Sequence, residues 1–396
     1  MGHAVATRER APVEPRPSND RAIHDAPPGW LFTAVVVVGV VLRIWRALHN
    51  GPSFDESFTA MAGRRPLGDL FAYLARADSH PPLDYLLRMP LARAGAADFW
   101  LRSPSIVFSC AALALFAWWM RDRGWFGLLA TALLACSTFQ VLQGGEARMY
   151  ALLQLLGVGA AVIGERWLRS PRAWHAWCLA AITLVALFDH VSGLLLGLGL
   201  LALAGLRADR DAWRLRGLLA GTGAVWLVLW GPVAVDQLGH SWSDWVPRTT
   251  ATVFARTIAQ QLVSVDVAIW PLCVAVVLGG VVLVRRDPRL GRVWIALGAV
   301  PFATAAVVGL ATAFLLPRTL TLASWAPVLA LAALLDAVRV RWRLVGRVVA
   351  VAVPVIVLLA TATFLAGKTW DYDLSIAELE RVAHPGDVVA VRPARY

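Results

Sequence analysis

Apolar residues in this chain gather into blocks of roughly 16–22, long enough for a helix to cross a bilayer's hydrocarbon core. "LFTAVVVVGVVLRIW" near one end and "VVAVAVPVIVLLATATFLA" near the other are examples. Composition agrees, with 58% hydrophobic and only 16% charged residues, where a soluble domain has about half and about a quarter. The chain reads as an all-α polytopic membrane protein with about eleven transmembrane helices. They start near residues 31, 103, 125, 149, 174, 191, 217, 267, 293, 319 and 345.

The net charge of +11 suggests nucleic acid only until the arginines are located. They fall in short bursts between apolar blocks, as in "RRDPRLGRV" and "RVRWRLVGR", and form no long basic face. Nucleic acid is excluded as a partner, and the lipid bilayer takes its place. The arginine-rich connections are 121–124, 165–175, 207–216, 285–292 and 339–347. Positive charge in short loops sets orientation, which puts these loops and the N-terminus in the cytoplasm of a multi-pass plasma (inner) membrane protein. Residues 1–29 are Pro-rich, charged and aperiodic, a disordered tail. Residues 30–366 form the transmembrane domain, and 367–396 a short extracytoplasmic tail too small for its own core. Long outer segments are expected at 50–102 and 236–266. Four cysteines, Cys110, Cys136, Cys178 and Cys273, lie inside apolar blocks and read as small packing residues.

Carboxylates gather on the outer side, so the chemistry belongs there. In "GPSFDESFTA", Asp55 and Glu56 follow the first span. One of them serves as a general base toward a hydroxyl, or the pair caps a short helix beginning near Ser57. A divalent cation on Asp55 and Glu56 is a further use, although neither a D-x-D nor an EF-hand spacing supports it. Downstream, "LGDLFAYLARA" and "PPLDYLLRMPLARAG" carry apolar residues at helical spacing, as amphipathic helices lying in the membrane interface do. His80 sits at a loop-to-helix corner set by the prolines after it.

In "QGGEARMYALL", the fourth span begins on the outer side with Glu146, Arg148 and Tyr150 at its mouth. A helix N-terminus and an arginine suit an anion; a Glu146–Arg148 pair would require non-helical backbone there. In "LRSPS", Ser103 is a candidate N-cap and Pro104 a first-turn residue, with Arg102 facing either Asp98 or a phosphate. His190 lies beside Asp189 at another outer corner. No H-E-x-x-H, Walker A or G-x-G-x-x-G pattern occurs, so neither a zinc site nor a nucleotide site is evident.

The order of these motifs resembles the GT-C membrane glycosyltransferases, with protein O-mannosyltransferases and lipid A aminoarabinose transferases the nearest look-alikes. The resemblance is carried by the acidic pair, then "HPPLDYLL", "DFWLRSPSIVF" and "EARMYALL". "FDHVSGLLL", "SWSDWVPRTT" and "LLPRTLTLASWAPVLALAALL" extend it over most of residues 31–338. Thr319 stands where a tyrosine is usual, and "FDHV" lacks the usual aromatic richness. The resemblance implies a GT-C type fold, a polyprenyl-phosphate sugar donor, an extracytoplasmic acceptor and inverting transfer in cell-envelope biosynthesis. It implies Asp55 as the catalytic base or acceptor-orienting group. Glu56, His80, Glu146, Arg148 and Tyr150 would line the donor, with Arg102, His190 and Arg318 as further substrate-binding residues. In that expectation Arg148, Tyr150 and the helix N-terminus grip the phosphate. The rivals are a lipid or sugar transporter, which the absence of an internal repeat disfavours, and a non-catalytic subunit binding lipid-linked sugar.

Overall fold

The computed structural model describes residues 26–238, 246–263, 268–312 and 314–367. Residues 1–25 and 368–396 of the two tails, residue 313, and the parts of the second long outer segment at 239–245 and 264–267 lie outside the described residues. Between turns, the described chain is helical throughout. Six helical runs are long and apolar enough to cross a bilayer, and eight if each of two bent pairs is a single span. The bent pairs are Arg210–Leu229 with Gly231–Gln237, at 65°, and Pro317–Ala323 with Trp325–Arg341, at 69°.

The difference from the sequence expectation has identifiable sources. One run, Asp98–Cys136, is 39 residues long, yet it is a hairpin. The chain reverses through Arg121–Arg123 into Gly124, whose φ of 59° and ψ of −140° suit glycine alone. Arg43 confirms the reversal: its Nε donates to Ser109 on one limb (2.6 Å) and its Nη1 to the Ala135 carbonyl on the other (3.2 Å). Two further apolar helices, Ala173–Asp189 and Gly193–Gly205, fall short of the length for a full crossing.

Another expected start is displaced. The second long helix begins at Asp98, with Ala97 as its N-cap, so Ser103 and Pro104 stand in its second turn. Proline lacks the N–H that would bond the Trp100 carbonyl. The Ser103 hydroxyl donates to that carbonyl at 2.7 Å. What reads as a cap in the sequence is a repair of the helix ladder.

The two ends of the bundle differ in chemistry. At one, arginine-rich turns are neutralised locally: Glu165 accepts from Arg123 (2.7 Å) and Trp119 (2.6 Å), and Arg286 pairs with Asp336 (3.2 Å). At the other, three short helices, Phe54–Gly63, Leu67–Ala77 and Leu83–Arg93, fold over the helix ends. Between the ends, close backbone approach tightens the core. A Cβ on Gly157 would stand 1.8 Å from the Leu322 carbonyl oxygen, and one on Gly279 2.0 Å from that of Ala330.

Candidate active site

The site end is organised by helix Phe54–Gly63, whose first residues form a capping box. The Ser53 hydroxyl accepts from the Glu56 N–H (3.2 Å), and the Glu56 carboxylate accepts from the Ser53 N–H (2.9 Å). The helix therefore starts at Phe54, ahead of the expected Ser57, and its cap is Ser53. Asp55 is left available for other partners. The pattern Ser53-x-x-Glu56 carries this signal in the sequence.

Glu56 points to one flank. Its oxygens accept from Arg102 Nε (2.7 Å) and Nη2 (2.8 Å) and from the Ala147 N–H (2.7 Å). Arg102 also donates to the carbonyls of Ala47 (2.8 Å), Asn50 (2.7 Å) and Gly51 (2.9 Å). Both side chains are 2% exposed. Burial pushes the Glu56 carboxyl up, but Arg102 and the two backbone donors outweigh it and hold the group ionised. Arg102 thus makes no hydrogen bond to Asp98, although both border the same cleft; it anchors the first loop to the first two long helices. A cleft of about 340 Å³ borders this flank, between Ser57, Ala60, Arg64 and Asp98.

Asp55 faces the other flank, because neighbouring helical residues project about 100° apart. Its Oδ2 accepts from Arg318 Nη1 at 2.9 Å, with each side chain 33% exposed. Arg148 lies behind it, 3% exposed. Arg148 Nη1 donates to the hydroxyls of Thr59 (3.1 Å) and Tyr85 (3.1 Å) and approaches the Asp55 carbonyl (3.5 Å). The Tyr85 hydroxyl in turn donates to Asp78. Burial pushes the Asp55 carboxyl up, yet Arg148 and Arg318 together pull harder and leave it below the usual carboxylate range. Burial pushes Asp78 the other way, above that range, despite Arg148 and Tyr85.

The backbone carrying Arg148 is fixed as firmly as its side chain. Its carbonyl accepts from Arg88 Nη2 (3.0 Å) and the Ser105 hydroxyl (3.2 Å). Arg88, 1% exposed, also donates to both oxygens of Asp84 (3.0 Å each) and to the Leu101 carbonyl (2.6 Å). Glu146 does not pair with Arg148; it accepts from the Ser53 hydroxyl at 3.0 Å, and burial plus the Glu56 and Asp55 charges push its carboxyl up.

The His80 and His190 rings lie 4.8 Å apart, tilted by 30°, and the Tyr150 ring lies 6.1 Å from that of His190. The Ser192 N–H donates to His190 Nδ1 at 2.9 Å, which places a neutral ring's proton on Nε2. Burial first, then Arg148 and Arg318, push His80 well below the usual imidazole range, so it is neutral. Tyr150, 1% exposed, sits within electrostatic reach of Arg318 and Arg148. Of the residues singled out in the sequence, Asp55, His80, Arg148, Tyr150, His190 and Arg318 are thus brought together. Glu56 and Arg102 form a separate anchoring pair, and Glu146 lies between the groups through Ser53. A divalent cation shared by Asp55 and Glu56 does not fit this arrangement, since the carboxylates diverge and each is held by a different arginine.

Sequence reasoning missed Asp78, Thr59, Tyr85 and Arg88 as members of the cluster. Only the Asp84–Arg88 spacing of four on one helix was a usable signal.

The bundle has the fold of ArnT from Cupriavidus metallidurans. Against its apo crystal structure the TM-score is 0.53 at 17% identity, covering 78% of this chain and 60% of that one. Against the same protein bound to undecaprenyl phosphate the TM-score is again 0.53 at 17% identity, covering 89% and 73%. The chain therefore spans about three fifths of the apo ArnT chain's length. The likeness is one of fold, the GT-C fold that the motif order implied. No protein-family profile and no curated protein matches the sequence.

Proposed function

We propose that this chain is an inverting membrane glycosyltransferase that moves a sugar from a polyprenyl-phosphate carrier to a hydroxyl on an extracytoplasmic glycan, lipid or protein. The observation that carries the reading is Asp55, an ionised carboxylate between Arg148 and Arg318 where the segments 50–102, 145–149, 190–192 and 314–318 converge. A base and concentrated positive charge within one cluster are what displacement at an anomeric carbon bearing a phosphate requires. The ArnT structure with undecaprenyl phosphate supports a polyprenyl phosphate as the lipid class.

In this reading the acceptor oxygen forms a bond to the anomeric carbon as Asp55 takes its proton. The bond from that carbon to the phosphate oxygen breaks on the opposite face, and its electron pair leaves with the polyprenyl phosphate. Configuration inverts through an oxocarbenium-like transition state. Arg148 and Arg318 are held in place beforehand, so they stabilise the growing phosphate charge without reorganisation. His80 and His190, with ring centroids 4.8 Å apart, lie beside this cluster.

The test is to incubate membranes containing the protein with labelled polyprenyl-phosphate sugars and follow the label. Transfer with inversion supports the reading. Label that stays on lipid with every donor and acceptor extract, or lipid moved between leaflets without loss of its sugar, overturns it.

A further inference from the structure

The arginine-rich end of the bundle is neutralised only in part. Glu165 is taken by Arg123 at 2.7 Å, with Arg169 at 3.6 Å. The exposed Arg121 has the exposed Asp122 at 3.6 Å, and a pair so open contributes little. Among the described residues, Arg166 and Arg172 form no ion pair, and both are exposed. The Arg166 guanidinium instead lies 4.7 Å from the centroid of the exposed Trp118 ring, with that of Arg121 6.0 Å from it.

Three helix ends build this ledge. Trp118 stands in the last turn of Asp98–Met120, Arg166 in the last turn of Tyr150–Arg169, and Trp174 in the first turn of Ala173–Asp189. The third helix has Arg172 at its N-cap position, and no side chain caps its first-turn N–H groups. Such an end attracts an anion. His175, in that same turn, is 4% exposed, and its buried Nδ1 has no hydrogen-bond partner. Helical side chains lean toward their helix N-terminus, so this ring serves the uncapped end. Arg172 and Arg166 both lie within electrostatic reach of it. The cluster is short of negative charge. The indoles indicate what carries it: Trp118, Trp174 and Trp177 are all exposed, and exposed tryptophans at one end of an apolar bundle mark the headgroup level of a bilayer. An anion at that depth, on the rim of the bundle, arrives on a lipid.

We propose that Arg166, Arg172 and the uncapped start of helix Ala173–Asp189 bind the phosphodiester of an anionic phospholipid, with Trp118 and Trp174 flanking its glycerol. Guanidinium groups suit the paired free oxygens of such a phosphate. Helix Tyr150–Arg169 carries Arg166 about 24 Å along its axis from Tyr150. The site is therefore remote from Asp55, takes no part in the sugar chemistry, and stands whether or not the transferase reading does. A lipid that holds three helix ends to one headgroup stabilises the folded bundle, as any ligand of the native state does.

The experiment adds phosphatidylglycerol, phosphatidylcholine or inorganic phosphate to the full-length protein in detergent. Native mass spectrometry reads the bound species, and a melting curve reads stability. Phosphatidylglycerol is retained and raises the melting temperature, whereas phosphatidylcholine and inorganic phosphate do neither to a comparable extent. Arg166→Gln with Arg172→Gln weakens phosphatidylglycerol by about tenfold or more, the worth of two basic residues facing an anionic headgroup. Without lipid that variant melts as wild type does, because both side chains are exposed. Arg214→Gln with Arg286→Gln is the control. It removes as much positive charge from the same end, but from arginines already paired with Asp211 and Asp336, and phosphatidylglycerol binds it as it binds wild type. Trp118→Ala, which takes away the ring beneath Arg166, weakens the lipid too, and it decides the matter if the Arg166 and Arg172 double variant does not fold. Equal retention of phosphatidylcholine overturns the proposal, as does wild-type binding in the double variant or in Trp118→Ala. An equal loss in the control overturns it as well, by showing unspecific attraction to basic charge. Inorganic phosphate held as tightly as the lipid would mark a site for a free anion and overturn it too.

Discussion

Arg102→Met should unfold the site end from the inside, and the cost follows from the bonds it removes. Arg102 makes two contacts to Glu56, at 2.7 and 2.8 Å, and three to the carbonyls of Ala47, Asn50 and Gly51. With both side chains 2% exposed, deleting the cation strands a buried carboxylate, a loss of about 3–5 kcal/mol. The three carbonyls lose a donor as well, which places the variant toward the upper end of that range. Glu56→Met with Arg102→Met removes both charges, and the double variant should cost less than the sum of the singles by roughly 0.5–3 kcal/mol. It does not return to wild type, because the Ser53 and Ala147 N–H groups still lack their acceptor. Denaturant titration of the purified protein in micelles, followed by far-UV circular dichroism and by trypsin susceptibility of residues 50–102, measures both. An Arg102→Met protein within about 0.5 kcal/mol of wild type, the scatter of an ordinary surface change, would refute the assignment of Arg102 as an anchor.

Asp55→Asn should lower sugar transfer by about two orders of magnitude or more, the usual worth of a general base, with radiolabel transfer in membranes as the readout. The pH profile carries a sign. Arg148 and Arg318 hold the Asp55 carboxyl below the usual carboxylate range, so kcat/KM for the acceptor persists as pH falls and is lost only below that range. Arg318→Gln removes one of the opposing charges, and the acid limb of the surviving activity moves to higher pH. Gly157→Val would drive a side chain into the Leu322 carbonyl, 1.8 Å from where its Cβ must lie; a backbone shift between helix Tyr150–Arg169 and residues 317–323 should cost about 1–3 kcal/mol or more, read as lost expression and melting temperature. Arg88→Met frees the Arg148 carbonyl and should depress kcat more than it raises the donor KM, in steady-state kinetics on whatever fraction folds.

What the sequence made legible was whatever depends on spacing along one element. Apolar block length predicted the helices, and the arginine bursts predicted one end of the bundle as distinct from the other. The convergence of Asp55, His80, Arg148, Tyr150, His190 and Arg318 was anticipated through the motif order. The partners were not. Glu56 and Arg102 lie 46 positions apart, and nothing in "SFDES" or "LRSPS" says which carbonyls will crowd around a guanidinium. Asp98, four residues away, is the partner that local spacing suggests for Arg102, and local spacing is all a sequence offers. Ser103 failed for a related reason: a hydroxyl before a proline reads the same whether it caps a helix or repairs one. Arg43 carries no signal of its role in the sequence, because its contacts are to Ser109 and to a main-chain oxygen at Ala135. A carbonyl has no signature in the sequence.

Arg43 also bears on how the protein is assembled during synthesis. Helix Gly29–His49 is made before the Asp98–Cys136 hairpin, and within the helix its guanidinium has the Gly39 carbonyl at 2.9 Å as partner. A charged residue entering lipid costs as much as about 2.5–3.5 kcal/mol at mid-bilayer depth, and less toward the helix end where Arg43 lies. Ser109 arrives only after another 66 residues have been made and Ala135 after another 92. Stable insertion of this helix on its own is therefore disfavoured until the Asp98–Cys136 hairpin supplies those partners. Replacing Arg43 with leucine would let that helix settle in the membrane early and alone, uncoupling its insertion from the pairing that builds the bundle.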